Sequence, residues 1–135
     1  MPKPVIELDG ERTSSLEAFY DEVEAKLIPK ATWGRNLDAF NDILRGGFGT
    51  PEGGFVLRWT RSVQARQQLG YPATVEYLER KVKRCHPTAV AAVQADLEAA
   101  RRGEGPTLFD VLVDIVRRHG RGGDEARDGV ELELA

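Results

Sequence analysis

Apolar and polar positions along this chain follow two periods, and the changes of period mark its elements. Val5 to Leu8 is a short β-like run closed by the turn signal Asp9-Gly10. From Leu16, the residues Phe19, Tyr20, Val23 and Leu27 recur at three- and four-residue steps, as on one face of a helix. Ser14 or Ser15 can cap that helix, and Pro29 closes it. Lys30 to Arg35 read as a loop carrying Trp33-Gly34. Asn36 has the side chain of an N-cap for a second helix, Leu37 to Leu44, whose apolar members are Leu37, Phe40, Ile43 and Leu44. Gly46-Gly47 ends it, and the glycine-rich stretch to Gly54 is a loop. Phe55-Val56-Leu57-Arg58-Trp59 is nearly all apolar, as in a strand covered on both faces.

The second half is mostly helical. Ser62 to Leu69 reads as a short helix stopped by Gly70. Residues 71–105 read as an inserted helical hairpin. Its first helix runs from Thr74 to Cys85, with Val75, Leu78 and Val82 on one face. Its second follows Pro87 and reaches Ala100, with Gly103 and Gly105 beyond. Thr107 to Arg118 is strongly amphipathic, with Leu108, Val111, Leu112, Ile115 and Val116 inward and His119 at the end, where a basic side chain suits the helix dipole. Gly120 to Gly129 is a polar loop. Val130, Leu132 and Leu134 then alternate with Glu131 and Glu133, the pattern of a half-exposed strand. Strands separated by helices predict an α/β fold: a three-stranded parallel sheet packed with helices, joined by right-handed crossovers.

A length of 135 residues favours one domain spanning residues 1–135, with 71–105 as the insertion. The formal net charge of −3 argues against non-specific binding to nucleic acid or anionic membrane. With one cysteine, Cys85, no disulfide can form within the chain. The opening Met1-Pro2-Lys3-Pro4 lacks the apolar run of a secretory signal, and no stretch approaches the roughly 20 apolar residues of a membrane span. The expectation is a cytoplasmic protein.

Catalytic and metal motifs are missing where they would be sought. Gly46 to Gly54 has neither a P-loop nor a dinucleotide fingerprint. Cys85-His86 has no partner pair for a metal, and His119 lies far away; surface or cap roles suit both histidines. Ser14, Ser15 and Ser62 lack a nucleophile-elbow context. The basic run Arg80-Lys81-Val82-Lys83-Arg84 sits among Glu76 and Glu79 at ion-pair spacing, which favours a solvated helix face over a nucleic-acid patch. The pair Asp38 and Asp42 does attract notice. Four residues apart, the two share a helix face. Asp38 gains from the helix dipole, whereas Asp42 does not. An acid–base or metal role for the pair would need a third ligand that the sequence does not supply.

The segment Trp33-Gly34-Arg35-Asn36-Leu37-Asp38-Ala39-Phe40-Asn41-Asp42-Ile43-Leu44 resembles the signature of the barstar family of ribonuclease inhibitors. Gly46, Thr50-Pro51 and Phe55 to Trp59 resemble that family's loop and second strand, Leu8-Asp9-Gly10 its opening, and Val130 to Leu134 its last strand. The likeness covers roughly residues 4–70 and 106–135; residues 71–105 have no counterpart in the small members.

The resemblance implies an intracellular, immunity-type bacterial inhibitor rather than an enzyme, with no cofactor and no direct contact with nucleic acid or membrane. It implies a barstar-like sheet, and a partner that is a small secreted ribonuclease of the guanyl-preferring class, bound one to one. The second helix and the loop before it would plug the nuclease active site, where carboxylates stand in for the substrate phosphate. On that basis Asp42 is the central phosphate mimic and Asp38 a second acceptor. Trp33 makes apolar contact, and Thr32, Asn36, Leu37, Ala39, Asn41, Arg45, Gly46 and Gly47 frame the patch. Thr32 stands where a second aromatic is usual, Asn41 replaces an aromatic, and Gly47 replaces a tryptophan. Arg117 or Arg118 falls near a place often held by glutamate. The rim of the partner should therefore differ from that of the family's best-known target. Residues 31–70 carry five basic against three acidic side chains, while residues 1–30 and 106–135 each carry four against seven. Steering of a basic enzyme must then come from the placement of the two aspartates and from the flanking elements. A second expectation is a protein-binding module of the same fold that takes another partner through the hairpin.

Overall fold

The computed structural model describes residues 3–135; Met1 and Pro2, part of the segment read for a secretory leader, lie outside the described residues. Three strands form one sheet in the order β1-β2-β3: β1 (Val5–Asp9), β2 (Phe55–Thr60) and β3 (Val130–Leu134). Both pairings are parallel, with Ile6 and Leu132 flanking Leu57, and Leu8 and Leu134 flanking Trp59. Six helices connect them: α1 (Leu16–Lys26), α2 (Leu37–Arg45), α3 (Ser62–Gln68), α4 (Tyr71–Arg84), α5 (Val90–Arg101) and α6 (Leu108–Arg118).

The sheet is covered on one face only, which corrects the expectation of a doubly covered β2. Phe55, Leu57 and Trp59 are buried, while Val56, Arg58 and Thr60 alternate with them and are half-buried. The outer face is an ionic row. Glu7, Arg58 and Glu133 stand directly opposite one another across the three strands. Arg58 Nε lies 3.1 Å from Glu133, and its guanidinium 3.8 Å from Glu7. Opposite charges in register stabilise neighbouring strands, so this face tolerates water without a helix layer.

The covered face meets α1 and α6. Ser15, rather than Ser14, caps α1, its hydroxyl accepting the Ala18 N–H at 3.1 Å. Phe19, Tyr20 and Val23 then point into the core. Thr107 and Asp110 form a reciprocal capping box at the start of α6. Its buried face is wider than the periodicity implied, because Phe109 and Val113 join Leu108, Leu112, Ile115 and Val116, while Val111 is only half-buried. Trp59 centres the aromatic cluster, 5.3 Å from Phe19 and 4.9 Å from Phe109, and its indole N–H donates to the buried Thr13 hydroxyl at 3.2 Å.

The 71–105 hairpin is present, with its first helix starting at Tyr71 rather than Thr74. Gly70 is the cap, and Pro72 sits in the first turn, where its missing N–H costs nothing. Leu78, Val93, Leu97 and Ala100 make a second apolar cluster, and Tyr77 packs against both this cluster and the main core. The hairpin is tied at its neck: the Thr74 hydroxyl accepts the Leu108 N–H at 2.7 Å and donates to the Gly70 carbonyl at 2.8 Å.

Candidate functional site

Helix α2 presents the aspartate pair because its other face is locked down. Phe40, Ile43 and Leu44 are fully buried, and Phe40 meets Phe19 edge-on at 5.2 Å. Burying each such side chain is worth about 1.5–3 kcal/mol, which fixes the rotation of the helix. Asn36 caps it by accepting the Ala39 N–H at 2.7 Å. Asp38, Asp42 and Arg45 are left exposed, and Leu37, Ala39 and Asn41 are half-buried along the rim.

The preceding loop is held from α1. Arg35 adopts a left-handed backbone (φ 51°). Its guanidinium reaches three acids on one ridge of α1: Asp21 at 2.8 Å, Glu24 at 3.4 Å and Glu17 at 3.5 Å. The hydrogen bond that Arg35 donates to Asp21, reinforced by these charges, raises the Arg35 pKa further. Trp33 is half-buried, edge-on to Tyr20 at 5.3 Å, and its indole N–H is buried with no hydrogen-bond partner among the described residues. Such an orphan donor costs about 1–3 kcal/mol. Thr32 is exposed beside it. At the other end of α2, Gly46 and Gly47 have φ of 104° and 93°. A side chain at either place would strain the backbone, so Gly47 has a conformational reason to be glycine where the family resemblance sets a tryptophan.

The two aspartates have different surroundings. Asp38 makes no ion pair among the described residues. It borders a cleft of about 370 Å³ whose other walls include Tyr77 and Lys81 of α4 and Asp114 and Arg118 of α6. Burial raises the Tyr77 pKa, and the nearby Asp38 charge adds to it. Arg118 thus lines the same cleft as Asp38, accompanied by the acid Asp114, which sequence reasoning did not single out. Asp42 is already engaged, with Arg45 Nη1 donating to its Oδ1 at 3.0 Å. Arg45 Nε in turn donates to Glu125, across 80 residues of chain.

Behind Arg45 lies His119. The sequence suggested a surface or cap residue; it does occupy the C-cap of α6, yet its ring is fully buried. Nδ1 lies 2.7 Å from Asp128 Oδ2, and Nε2 lies 2.7 Å from Asn41 Oδ1 and 3.5 Å from Glu125 Oε2. The Asn41 carbonyl is therefore turned inward rather than toward a partner. His119, Glu125 and Asp128 offer ligand atoms within 4.8 Å of one another. They do not make a metal centre in this arrangement, because the two acids engage opposite ring nitrogens and a guanidinium already holds Glu125.

The stretch Thr32–Gly47 thus gathers all the expected residues on α2 and its two flanking loops. The group that joins them from afar, His119, Glu125 and Asp128, comes from the α6 end and the following loop. A family model described as Barstar (barnase inhibitor) matches residues 3–132, bounds that enclose the hairpin. The chain belongs to the Barstar family. Its α/β fold with a three-stranded parallel sheet agrees with that membership, and the family is one of inhibitors. No curated protein sequence matches the chain significantly. Among the described residues, no helix is long and apolar enough to cross a membrane. Within a Barstar-family frame, the α2 face carries its two aspartates with Arg45 between Asp42 and Glu125, and with Tyr77 and Lys81 of α4 close to Asp38.

Proposed function

We propose that this chain inhibits a small secreted bacterial ribonuclease of the guanyl-preferring class. It binds one to one inside the cell that makes the enzyme and covers the active site with α2 and the loop before it. The observation that carries this reading is the pair of exposed carboxylates on a helix whose opposite face is buried and rigid. A ribonuclease gathers basic groups around the scissile phosphate. A carboxylate presented without conformational freedom accepts charge-assisted hydrogen bonds from those groups and replaces the phosphate charge.

Asp42 acts as the central phosphate mimic, shared between Arg45 and the cations of the enzyme. Asp38 is the second acceptor. Thr32, Trp33, Asn36, Leu37, Ala39, Gly46 and Gly47 supply the surrounding surface. Asn41 contributes by fixing the patch from beneath.

Inhibition of a panel of secreted guanyl-preferring ribonucleases by the purified protein tests this reading. Tight inhibition at one-to-one stoichiometry is expected, and no inhibition across the panel contradicts it. One observation favours a second reading, a binding module with another partner: the hairpin has an apolar cluster of its own and stands beside α2. Pull-down with a chain lacking residues 71–105 separates the two, since a partner lost with the hairpin supports the second.

A further inference from the structure

His119 is 78 residues from Asn41, the α2 residue it touches, and no part of the inhibitor reading calls for it, yet it is among the most buried polar side chains described. Every group facing its ring offers a hydrogen-bond acceptor. Asp128 meets Nδ1, while the Asn41 carbonyl and the Glu125 carboxylate meet Nε2. The ring thus joins three stretches of chain: the end of α6 that carries it, α2 through Asn41, and the loop after α6 through Asp128, with Glu125 3.5 Å from Nε2. Hydrogen bonds at so buried a position count for more than exposed ones.

The connections run on to the surface. Glu125 uses its other oxygen to hold Arg45 Nε, and Arg45 Nη1 holds Asp42. The loop that supplies Glu125 and Asp128 has no buried apolar side chain of its own. It folds back on α6 through backbone bonds, Glu125 N–H to the Arg118 carbonyl at 2.8 Å and Val130 N–H to the His119 carbonyl at 2.9 Å.

We propose that His119 is a positioning residue for the Asp42 patch: a buried ring that bolts α2 to the 120–129 loop and, through Glu125 and Arg45, sets the Asp42 carboxylate. The importance of setting Asp42 rests on the inhibitor reading; the bolt itself does not.

Nitrogen-15 NMR of the whole protein at neutral pH tests the proposal. In His119→Gln, exchange of the Arg45 Nε proton and of the Glu125 amide should accelerate about tenfold or more, while β2 amides keep their protection. Because a buried substitution can unfold the chain, Glu125→Ala is the second variant. It leaves the His119–Asp128 bond in place and should release the Arg45 Nε proton alone.

An Arg45 proton whose exchange is unchanged in a folded variant overturns the proposal. Uptake of one equivalent of zinc by the chelator-stripped protein would replace the bolt with a metal site and overturns it too. None of these readouts needs a nuclease. If the inhibitor reading also holds, Glu125→Ala should weaken nuclease inhibition in addition.

Discussion

Adjacent residues on α2 should separate binding from folding. Asp42 is exposed and its neighbour Ile43 is fully buried, so Asp42→Ala and Ile43→Ala remove one solvent-facing and one core-facing side chain from the same helix turn. For Asp42→Ala the stability terms are small and of opposing sign. Alanine improves helix propensity by up to about 0.7 kcal/mol. Removing the like charge four residues from Asp38 relieves about 0.2–0.5 kcal/mol. The lost contact with Arg45 is exposed and adds little. Fold stability should stay close to that of the parent protein. Binding should not: truncating a central carboxylate that meets several desolvated cations should cost more than about 2 kcal/mol, a loss of roughly thirtyfold or more in affinity. Ile43→Ala should show the reverse. It removes buried methyl and methylene groups from a packed site, at about 2–5 kcal/mol of stability, and leaves the affinity of the folded fraction nearly unchanged. Urea unfolding and titration calorimetry against a responsive ribonuclease give the two numbers for each variant. An Asp42→Ala protein of unchanged affinity would refute the argument that Asp42 is the central contact.

Three further outcomes concern the scaffold. Thr13→Val should cost about 1–3 kcal/mol in urea unfolding, because it leaves the buried Trp59 indole N–H without its acceptor. Gly123→Ala should destabilise by about 1–3 kcal/mol, since an added Cβ would clash with the Arg118 and Arg117 carbonyl oxygens, and hydrogen exchange should place the loss in the 120–129 loop. The backbone N–H of Glu11, helped by Arg61, holds the Asp9 carboxyl below its ordinary value. Its folded-state pKa being depressed, Asp9 contributes stability that is present above the unfolded-state value and lost as the pH falls through the folded-state one. Asp9→Asn should therefore lower stability at neutral pH and flatten the acid side of the stability profile, as followed by urea midpoints across pH.

The elements were legible where local pattern decides them. Helical spacing marks α1, α2 and α6, and Asn36 and Thr107 cap where capping chemistry says they should. Errors arose where a distant partner decides. The run Phe55 to Trp59 reads as doubly covered because Val56 is apolar, whereas Arg58 beside it is neutralised by Glu7 and Glu133, residues 51 and 75 positions away. Helix α4 begins at Tyr71, three residues before Thr74, with Pro72 in its first turn. The expected site residues are contiguous, so a single stretch of sequence held them. Glu125 and Asp128 carry no motif, and they reach Arg45 and His119 only through the return of the loop after α6. Nothing in the spacing of these residues announces that meeting.

Active-site occupancy is the central claim, and competition tests it most directly. With a ribonuclease that the protein inhibits, affinity is measured at increasing concentrations of a guanosine monophosphate, whose phosphate takes the site assigned to Asp42. The account predicts mutual exclusion: the apparent dissociation constant rises in proportion to nucleotide concentration, and the rise is blunted in Asp42→Ala. A ternary complex of inhibitor, enzyme and nucleotide, with affinity indifferent to the nucleotide, would contradict it.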